Sequence, residues 1–281
     1  MNTYRLYRLL ATLSLLAAVV GASAVSEVSA ATPSKMDITL VNHIQAGLPE
    51  QDVFLETGGA SSGQVMRVEG DAAKDPANLS QMVFSSASAV PHDPFKVGPN
   101  PLGPFPKGKA LGFTLGQWLA ATGSGTYSTD GTTAQMSLSF QNLVPNGVYT
   151  VWCSRLTFPP NPKVVNRPCG AADGSQNSFT ADATGNGSFN LTLNALPDST
   201  KETASVISLA YDSDGQTHGP VPGDFGRQTH LQLFIPLPAP SVVGMPKTGN
   251  GADMAYYLWL LLAVGGATIV GGQALRKVAA R

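Results

Sequence analysis

The sequence predicts a mainly β protein, with a β-sandwich ectodomain between an N-terminal signal helix and one C-terminal transmembrane helix. Charged residues make up only 12% of the 281 residues, whereas glycine and proline contribute 30 and 21. This composition favours short strands joined by turns over long helices. Two segments alternate apolar and polar residues, which is the period of a half-buried strand. Their apolar positions are Ala134, Met136, Leu138 and Phe140 in the first, and Phe189, Leu191 and Leu193 in the second.

Further segments predict strands because β-branched and apolar residues follow one another closely in them. They are residues 38–44, 206–211 and 231–237. Between Phe179 and Phe189 the chain reads Asp-Ala-Thr-Gly-Asn-Gly at 182–187. Gly and Asn tolerate positive φ, so we expect a hairpin turn there.

One turn motif bears on the architecture. Leu143, Pro145 and Tyr149 form a Leu-x-Pro-x-x-x-Tyr pattern that leads into the apolar segment Val148–Trp152. The pattern resembles the tyrosine corner of fibronectin type III and related Ig-like β-sandwiches. The resemblance implies a sandwich in which the Tyr hydroxyl bonds to backbone upstream of it. It covers about ten residues, and nothing catalytic is carried over from it.

The N-terminus has the organisation of a secretory signal peptide. Arg5 and Arg8 precede an apolar run at 9–20, and small residues then supply cleavage sites at 22–24 or 28–30. Such a run is too short for a comfortable membrane span, so residues 1–30 are interpreted as a signal peptide and excluded from the fold. An uncleaved N-terminal anchor is the alternative.

The C-terminus begins with a short polar motif and continues into a long uncharged segment. The motif resembles the LPXTG-type cell-wall sorting signal of bacterial surface proteins, with Met in place of the usual Leu. In that family a sortase cleaves between Thr and Gly and joins the Thr to the cell envelope. The residues that the resemblance assigns to sortase recognition are Met245, Pro246, Lys247, Thr248 and Gly249.

The rest of the tail, within residues 245–281, predicts a membrane helix. Residues 255–274 contain no charged side chain. Twenty residues at about 1.5 Å each span roughly 30 Å, the thickness of a hydrocarbon core. The basic residues Arg276, Lys277 and Arg281 follow, which places the end of the chain on the cytoplasmic side. A simple membrane anchor without sortase cleavage is the alternative.

The ectodomain is assigned to residues 31–235, with an alternative subdivision near 90–110, where six prolines occur between Val90 and Lys109. A Pro-rich spacer follows at 236–244. Between residues 31 and 248 there are 12 basic and 16 acidic residues, a net charge of −4. No basic patch suited to nucleic acid is present, so nucleic-acid binding is not expected.

The two cysteines, Cys153 and Cys169, both lie in the ectodomain. An even pair in an oxidising compartment predicts a disulfide. Prolines crowd the loop between them, so we expect that loop to be irregular. A reduced or metal-binding thiol pair is the alternative, but the spacing is not Cys-x-x-Cys.

The most site-like constellation follows the predicted strand 206–211. Asp-x-Asp-Gly resembles the opening of a calcium loop, but Gln216 and Gly223 stand where an EF-hand needs further ligands. A structural turn, a site for a cation or other ligand, and a catalytic site all stay open. No cofactor is expected, with a calcium or transition-metal ion as the alternative. The speculative ligand or metal residues are Asp212, Asp214, His218 and His230.

The sequence contains no Gly-x-Ser-x-Gly elbow, His-Glu-x-x-His helix or phosphate-binding Gly loop. We therefore expect no catalytic residues and a non-enzymatic role in binding, adhesion or structure. The chain would be exported and anchored at the cell wall or plasma membrane, with the ectodomain outside. Its expected partners are a sortase, the envelope and membrane, and an unknown extracellular ligand. An anchored metal-assisted enzyme or metal-binding domain using residues 212–230 is the alternative.

Overall fold

A computed structural model describes most of the predicted ectodomain. The described residues are 34–45, 50–59, 61–93, 100–158 and 160–236.

The predicted signal peptide, most of the spacer, and the sorting signal with its transmembrane helix also lie outside the described residues. Where the structure does describe the chain, it contains no helix both long and apolar enough to cross a membrane.

Strands dominate the described residues, which confirms the prediction of a mainly β protein. The strands are β1 Ser34–Leu40, β2 Glu50–Thr57, β3 Gln64–Glu69, β4 Met82–Ser86, β5 Phe105–Thr114, β6 Thr122–Thr129, β7 Thr133–Gln141, β8 Val148–Thr157, β9 Lys163–Val165, β10 Ser178–Thr180, β11 Gly187–Asn194, β12 Thr203–Asp212 and β13 Thr229–Pro236. The short helices are α1 Pro76–Leu79, α2 Leu115–Leu119 and a 3₁₀ turn at Ala72–Lys74.

The strands form three antiparallel sheets, an arrangement consistent with a β-sandwich. One sheet has the order β1-β6-β7-β11, and a second has the order β10-β8-β12-β13 with β9 also paired to β8. The third is a small closed barrel of β2, β3, β5 and β4. The barrel is an insertion between β1 and β6. Its strand β5 lies at the predicted subdivision near 90–110, which stays a prediction.

The period-2 pattern of β7 is confirmed residue by residue. Its four apolar side chains are buried and the polar residues between them are exposed. Phe140 stacks on Phe179 of β10 with ring centroids 5.3 Å apart, and Phe179 stacks on Tyr149 of β8 at 5.6 Å. Aromatic rings therefore fill the space between the two larger sheets. Each such buried side chain contributes about 1.5–3 kcal/mol by leaving water.

The turn before β8 has the hydrogen bond of a tyrosine corner. The Val144 N–H donates to the Tyr149 hydroxyl at 2.8 Å, and the Tyr149 side chain is fully buried. Asn146 adopts φ 57°, which Asn tolerates better than most residues. The backbone bond expected from the motif is confirmed.

The turn at 182–187 corrects one expectation. Asp182 accepts hydrogen bonds from the backbone N–H groups of Thr184 and Asn186 at 2.8 and 2.9 Å, and Gly185 has φ 80°. The turn is therefore built as its residues predict. It does not close a hairpin, however, because β10 pairs with β8 whereas β11 pairs with β7. The turn carries the chain from one sheet to the other.

The predicted disulfide between Cys153 and Cys169 is present. The loop that it closes is more regular than expected, because β9 within it pairs with the end of β8. Backbone bonds from Cys153 N to Arg167 O (2.8 Å) and from Cys169 N to Val151 O (3.1 Å) fix the returning chain. A loop of this length contributes about 3 kcal/mol by restricting the unfolded chain.

Three strand predictions need adjusted ends, and the one at 206–211 lengthens to Thr203–Asp212. The predicted strand 38–44 ends earlier, since β1 stops at Leu40, Val41 makes a single bridge to Phe234, and residues 43–45 form a turn. The strand predicted at 231–237 begins two residues earlier, at Thr229. The turn leaves His43 buried, with its Nδ1 2.7 Å from the Glu50 carbonyl oxygen.

Candidate functional site

Asp212 lies at the end of β12, in the interior, and is only 2% exposed. Its carboxylate accepts hydrogen bonds from the hydroxyls of Thr150 (2.9 Å) and Thr229 (3.1 Å). Burial raises the pKa of Asp212 to about 6, although the two hydroxyl bonds oppose the shift. The Trp152 indole N–H donates to the Thr150 hydroxyl at 3.0 Å and extends this buried chain.

Asp214 and His218 form a separate pair in the loop after β12. His218 Nε2 lies 3.4 Å from Asp214 Oδ2, a contact outside good hydrogen-bond alignment. Asp214 also accepts a bond from the Gln228 side-chain amide at 3.0 Å. The His218 ring lies against Gly223, where an added Cβ would be 2.6 Å from Nε2. The His218 ring therefore occupies the space that a side chain at position 223 would need.

His230 of β13 is fully buried and has two partners. Its Nδ1 lies 2.7 Å from the main-chain oxygen of Asp52, and its Nε2 lies 3.0 Å from the Ser213 hydroxyl. A carbonyl oxygen can only accept, so Nδ1 carries the ring proton and Nε2 presents a lone pair. Burial lowers the pKa of His230, which favours this neutral form.

Asp52 of β2 connects His230 to a cluster of charged groups. Its carboxylate lies 3.1 Å from His92 Nδ1 and 4.0 Å from Arg67 Nη2, and it accepts from the Leu231 N–H at 3.2 Å. Because β2 belongs to the barrel and β13 to the second sheet, these bonds join the two parts. We call Asp52, His92, Arg67, His43 and His230 the polar joint.

The electrostatics of the polar joint follow from burial and from close opposite charges. Burial would raise the pKa of Asp52, but the charge and hydrogen bond of His92 outweigh it and hold that pKa well below its ordinary value. Burial would lower the pKa of His92, but Asp52 raises it instead. Burial lowers the pKa of His43. His92 is the histidine that Asp52 favours in the charged form.

The structure therefore places the four predicted ligand residues in three environments. Asp212 binds two threonines, Asp214 lies beside His218, and His230 is directed at Ser213 and Asp52. In the described ranges, no three or more His, Cys, Asp or Glu residues are grouped so that they could hold a metal ion. The four side chains therefore do not converge on one position at which a single cation could contact all of them. Ligand binding in this region stays a prediction.

The residue that sequence reasoning missed is Asp52. It lies 178 positions before His230, and no motif links the two. The surrounding strand offers one indirect signal: β2 reads Glu-Gln-Asp-Val-Phe-Leu-Glu-Thr, so two polar residues adjoin an apolar run, and the structure buries residues 51–55 on both faces of the strand. Buried polar residues in such a strand need partners, and here the partners are the histidines and arginine of the polar joint.

Comparison of the chain with models of protein families, with curated proteins and with solved structures found no match. The functional argument therefore rests on the residues of the chain itself.

Proposed function

We propose that the chain is an exported bacterial surface protein, held at the cell envelope by a sortase or by its own C-terminal transmembrane helix. Its ectodomain, an Ig-like or fibronectin-like β-sandwich, has a non-enzymatic role in binding, adhesion or envelope structure. One observation carries the proposal: the motif Met245–Gly249, the uncharged segment 255–274 and the basic end of the chain follow one another in that order. The order is that of a sorting signal.

The disulfide supports export. Both cysteines of the chain take part in the bond between Cys153 and Cys169. Structural disulfides persist in oxidising compartments and are rare in the reducing cytosol. A protein that is passed through the membrane by residues 1–30 would form this bond outside the cell.

The outer face of the sheet β1-β6-β7-β11 supports a binding role. The strand registers align its outward side chains in rows that are mostly uncharged and polar. They offer hydrogen-bond donors and acceptors to a partner, with charges only at the β1 edge. These residues are Lys35, Asp37, Thr39, Ser124, Thr126, Ser128, Gln135, Ser137, Ser139, Ser188, Asn190 and Thr192.

The proposal is tested by how the protein is released from cells. The wild-type chain should stay with the cell wall after detergent extraction and be released by a wall-degrading enzyme. A Thr248→Ala variant removes the residue that sortase would join to the envelope. It should be extracted by detergent instead, while a Lys247→Ala variant, changed at the variable motif position, should behave as wild type.

The outcomes distinguish anchoring by a sortase from anchoring by the transmembrane helix. Detergent extraction of wild type and Thr248→Ala alike would assign anchoring to the transmembrane helix. Recovery of the wild-type chain from the cytosol, with residues 1–30 still attached, would overturn export altogether.

A further inference from the structure

We propose that Ser213 is a base-activated nucleophile that accepts an acyl group from small esters, with His230 as its general base. The inference goes beyond anchoring and does not depend on it. It rests on three groups in line: the Ser213 hydroxyl, the His230 imidazole and the Asp52 main-chain oxygen, separated by 3.0 and 2.7 Å.

The direction of the hydrogen bonds is fixed by what each group can do. Since Nδ1 donates to the Asp52 carbonyl, Nε2 has no proton and must accept from Ser213. The other acceptor near this hydroxyl, the Arg227 carbonyl oxygen, is farther away at 3.4 Å. The imidazole therefore already has the tautomer that a general base needs, and the serine proton already points at it.

The imidazole is held in this orientation by the polar joint. Asp52 accepts the Leu231 N–H through its carboxylate and the His230 N–H through its carbonyl, so adjacent residues of β13 bind the same residue of β2. An orienting acceptor behind the base is a general feature of activated nucleophiles. Here the orienting acceptor is the Asp52 main-chain oxygen.

Of the pair, only Ser213 keeps any exposed surface, 8%, while His230 is fully buried. The ammonium of the exposed Lys109 donates to the Ser213 carbonyl oxygen, which places a positive charge beside Ser213. That charge favours an oxyanion developing on an ester carbonyl. An exposed surface this small limits the acyl group to a small one.

The chemical step balances without any further reactant. Ser213 Oγ forms a bond to the ester carbonyl carbon as its proton moves to His230 Nε2, and the carbonyl electron pair moves onto oxygen. When the pair returns, the bond between carbon and the leaving alcohol oxygen breaks, and the proton passes from Nε2 to that oxygen. Ester and serine become acyl-serine and alcohol. The Ser213 N–H is bonded to the Gln228 carbonyl at 2.7 Å and is not free for the oxyanion, so we expect single acylation rather than turnover.

The test is exposure of the purified full-length chain to p-nitrophenyl acetate. Acetylated positions are located by tandem mass spectrometry, and their rates are compared within one protein. Ser213 should be acetylated at least about 100-fold faster than Ser154, since general-base assistance contributes about 10²–10⁴-fold. Ser154 is the matched control because it is as buried as Ser213, at 6% exposure, but its hydroxyl donates to the Asn166 side-chain oxygen (2.9 Å) rather than to an imidazole. Equal rates at the two serines would overturn the proposal.

Variants and pH supply independent readouts. Ser213→Ala should abolish the fast acetylation, and Ser154→Ala should leave it unchanged. Because His230→Ala is liable to disturb the interior, the base is tested in wild type by the pH profile. Burial lowers the pKa of His230, so the Ser213 rate should be level from neutral pH down past the ordinary histidine value of about 6.5. A rate rising about tenfold per pH unit throughout is the behaviour of an unassisted alkoxide and would contradict the proposal.

Discussion

The interior between the two larger sheets is buried, as is the polar joint apart from the partly exposed His92, but different forces hold the two regions. Between the sheets, aromatic and aliphatic side chains such as Phe140, Phe179 and Tyr149 fill the space. In the polar joint, Asp52 meets His92 and Arg67, and the stabilising term is electrostatic. The stabilisation that buried apolar side chains contribute does not depend on pH, whereas the stabilisation from paired buried charges does. The comparison predicts that the two regions fail under different conditions.

The largest expected effect is in the apolar interior. Phe140→Ala removes a ring that is 1% exposed, and we expect the free energy of unfolding to fall by about 3–5 kcal/mol. Ser139→Ala, at the neighbouring exposed position, should change it by less than about 0.5 kcal/mol. Urea unfolding of both variants measures the difference. A small loss in Phe140→Ala would show that the sheets do not depend on this packing.

The polar joint should respond nearly as strongly to loss of one charge. Asp52→Asn leaves His92 and Arg67 without their carboxylate, and breaking a buried pair in this way costs about 3 kcal/mol. The matched control is Asp37→Asn on the exposed face of β1, where less than about 0.5 kcal/mol is expected. A loss under about 1 kcal/mol in Asp52→Asn would mean that the joint is held by other contacts. The same unfolding curves would show this.

Lowering the pH should reduce the stability that the polar joint contributes to the fold. Asp212 has the opposite effect, because its contribution to stability is larger at low pH. Burial raises the folded-state pKa of Asp212 to about 6, above the unfolded value of about 3.9. Its contribution to stability is therefore complete below about pH 4 and is lost as pH rises through about 6. Two pKa units correspond to about 3 kcal/mol at most.

The check is a comparison of wild type with Asp212→Asn, which cannot titrate. Between about pH 4 and pH 7, wild type should lose about 2 kcal/mol more of its free energy of unfolding than the variant does. Groups common to both proteins, Asp52 among them, cancel in this difference. Parallel pH profiles for the two proteins would contradict the raised pKa.

The smallest expected effect is at the tyrosine corner, a polar contact within the apolar region. Tyr149→Phe keeps the ring but leaves the Val144 N–H without its partner. We expect a loss of about 1–2 kcal/mol, independent of pH between about 5 and 8. A pH-dependent loss would mean that the two regions are coupled more closely than the contacts show.

The same contrast explains how far the sequence could predict the fold. Alternation in β7, the residues of the tyrosine corner and the cysteine pair are local signals, and each was confirmed. The hairpin expected at 182–187 was wrong because turn residues specify a turn but not which strands pair beyond it.

The candidate site was harder to predict, because its contacts are long-range. Ser213 directly follows β12 and His230 lies on the neighbouring β13, yet Asp52 reaches His230 from an inserted barrel far away in the sequence. No periodic pattern in the sequence indicates a contact between residues so far apart in the chain. The residue types of Asp212 and His230 suggested a shared ligand, whereas each is hydrogen-bonded to groups that the sequence does not place nearby.

Envelope anchoring is tested most directly by mass spectrometry of the C-terminal peptide from protein released from intact envelopes. We predict a peptide that ends at Thr248 and carries an envelope-derived adduct, or one that continues through the membrane segment to Arg281. The first makes the chain a sortase substrate, and the second a protein anchored by its own helix. A peptide that ends before Met245 without an adduct, from protein recovered free in the medium, would contradict anchoring at the envelope.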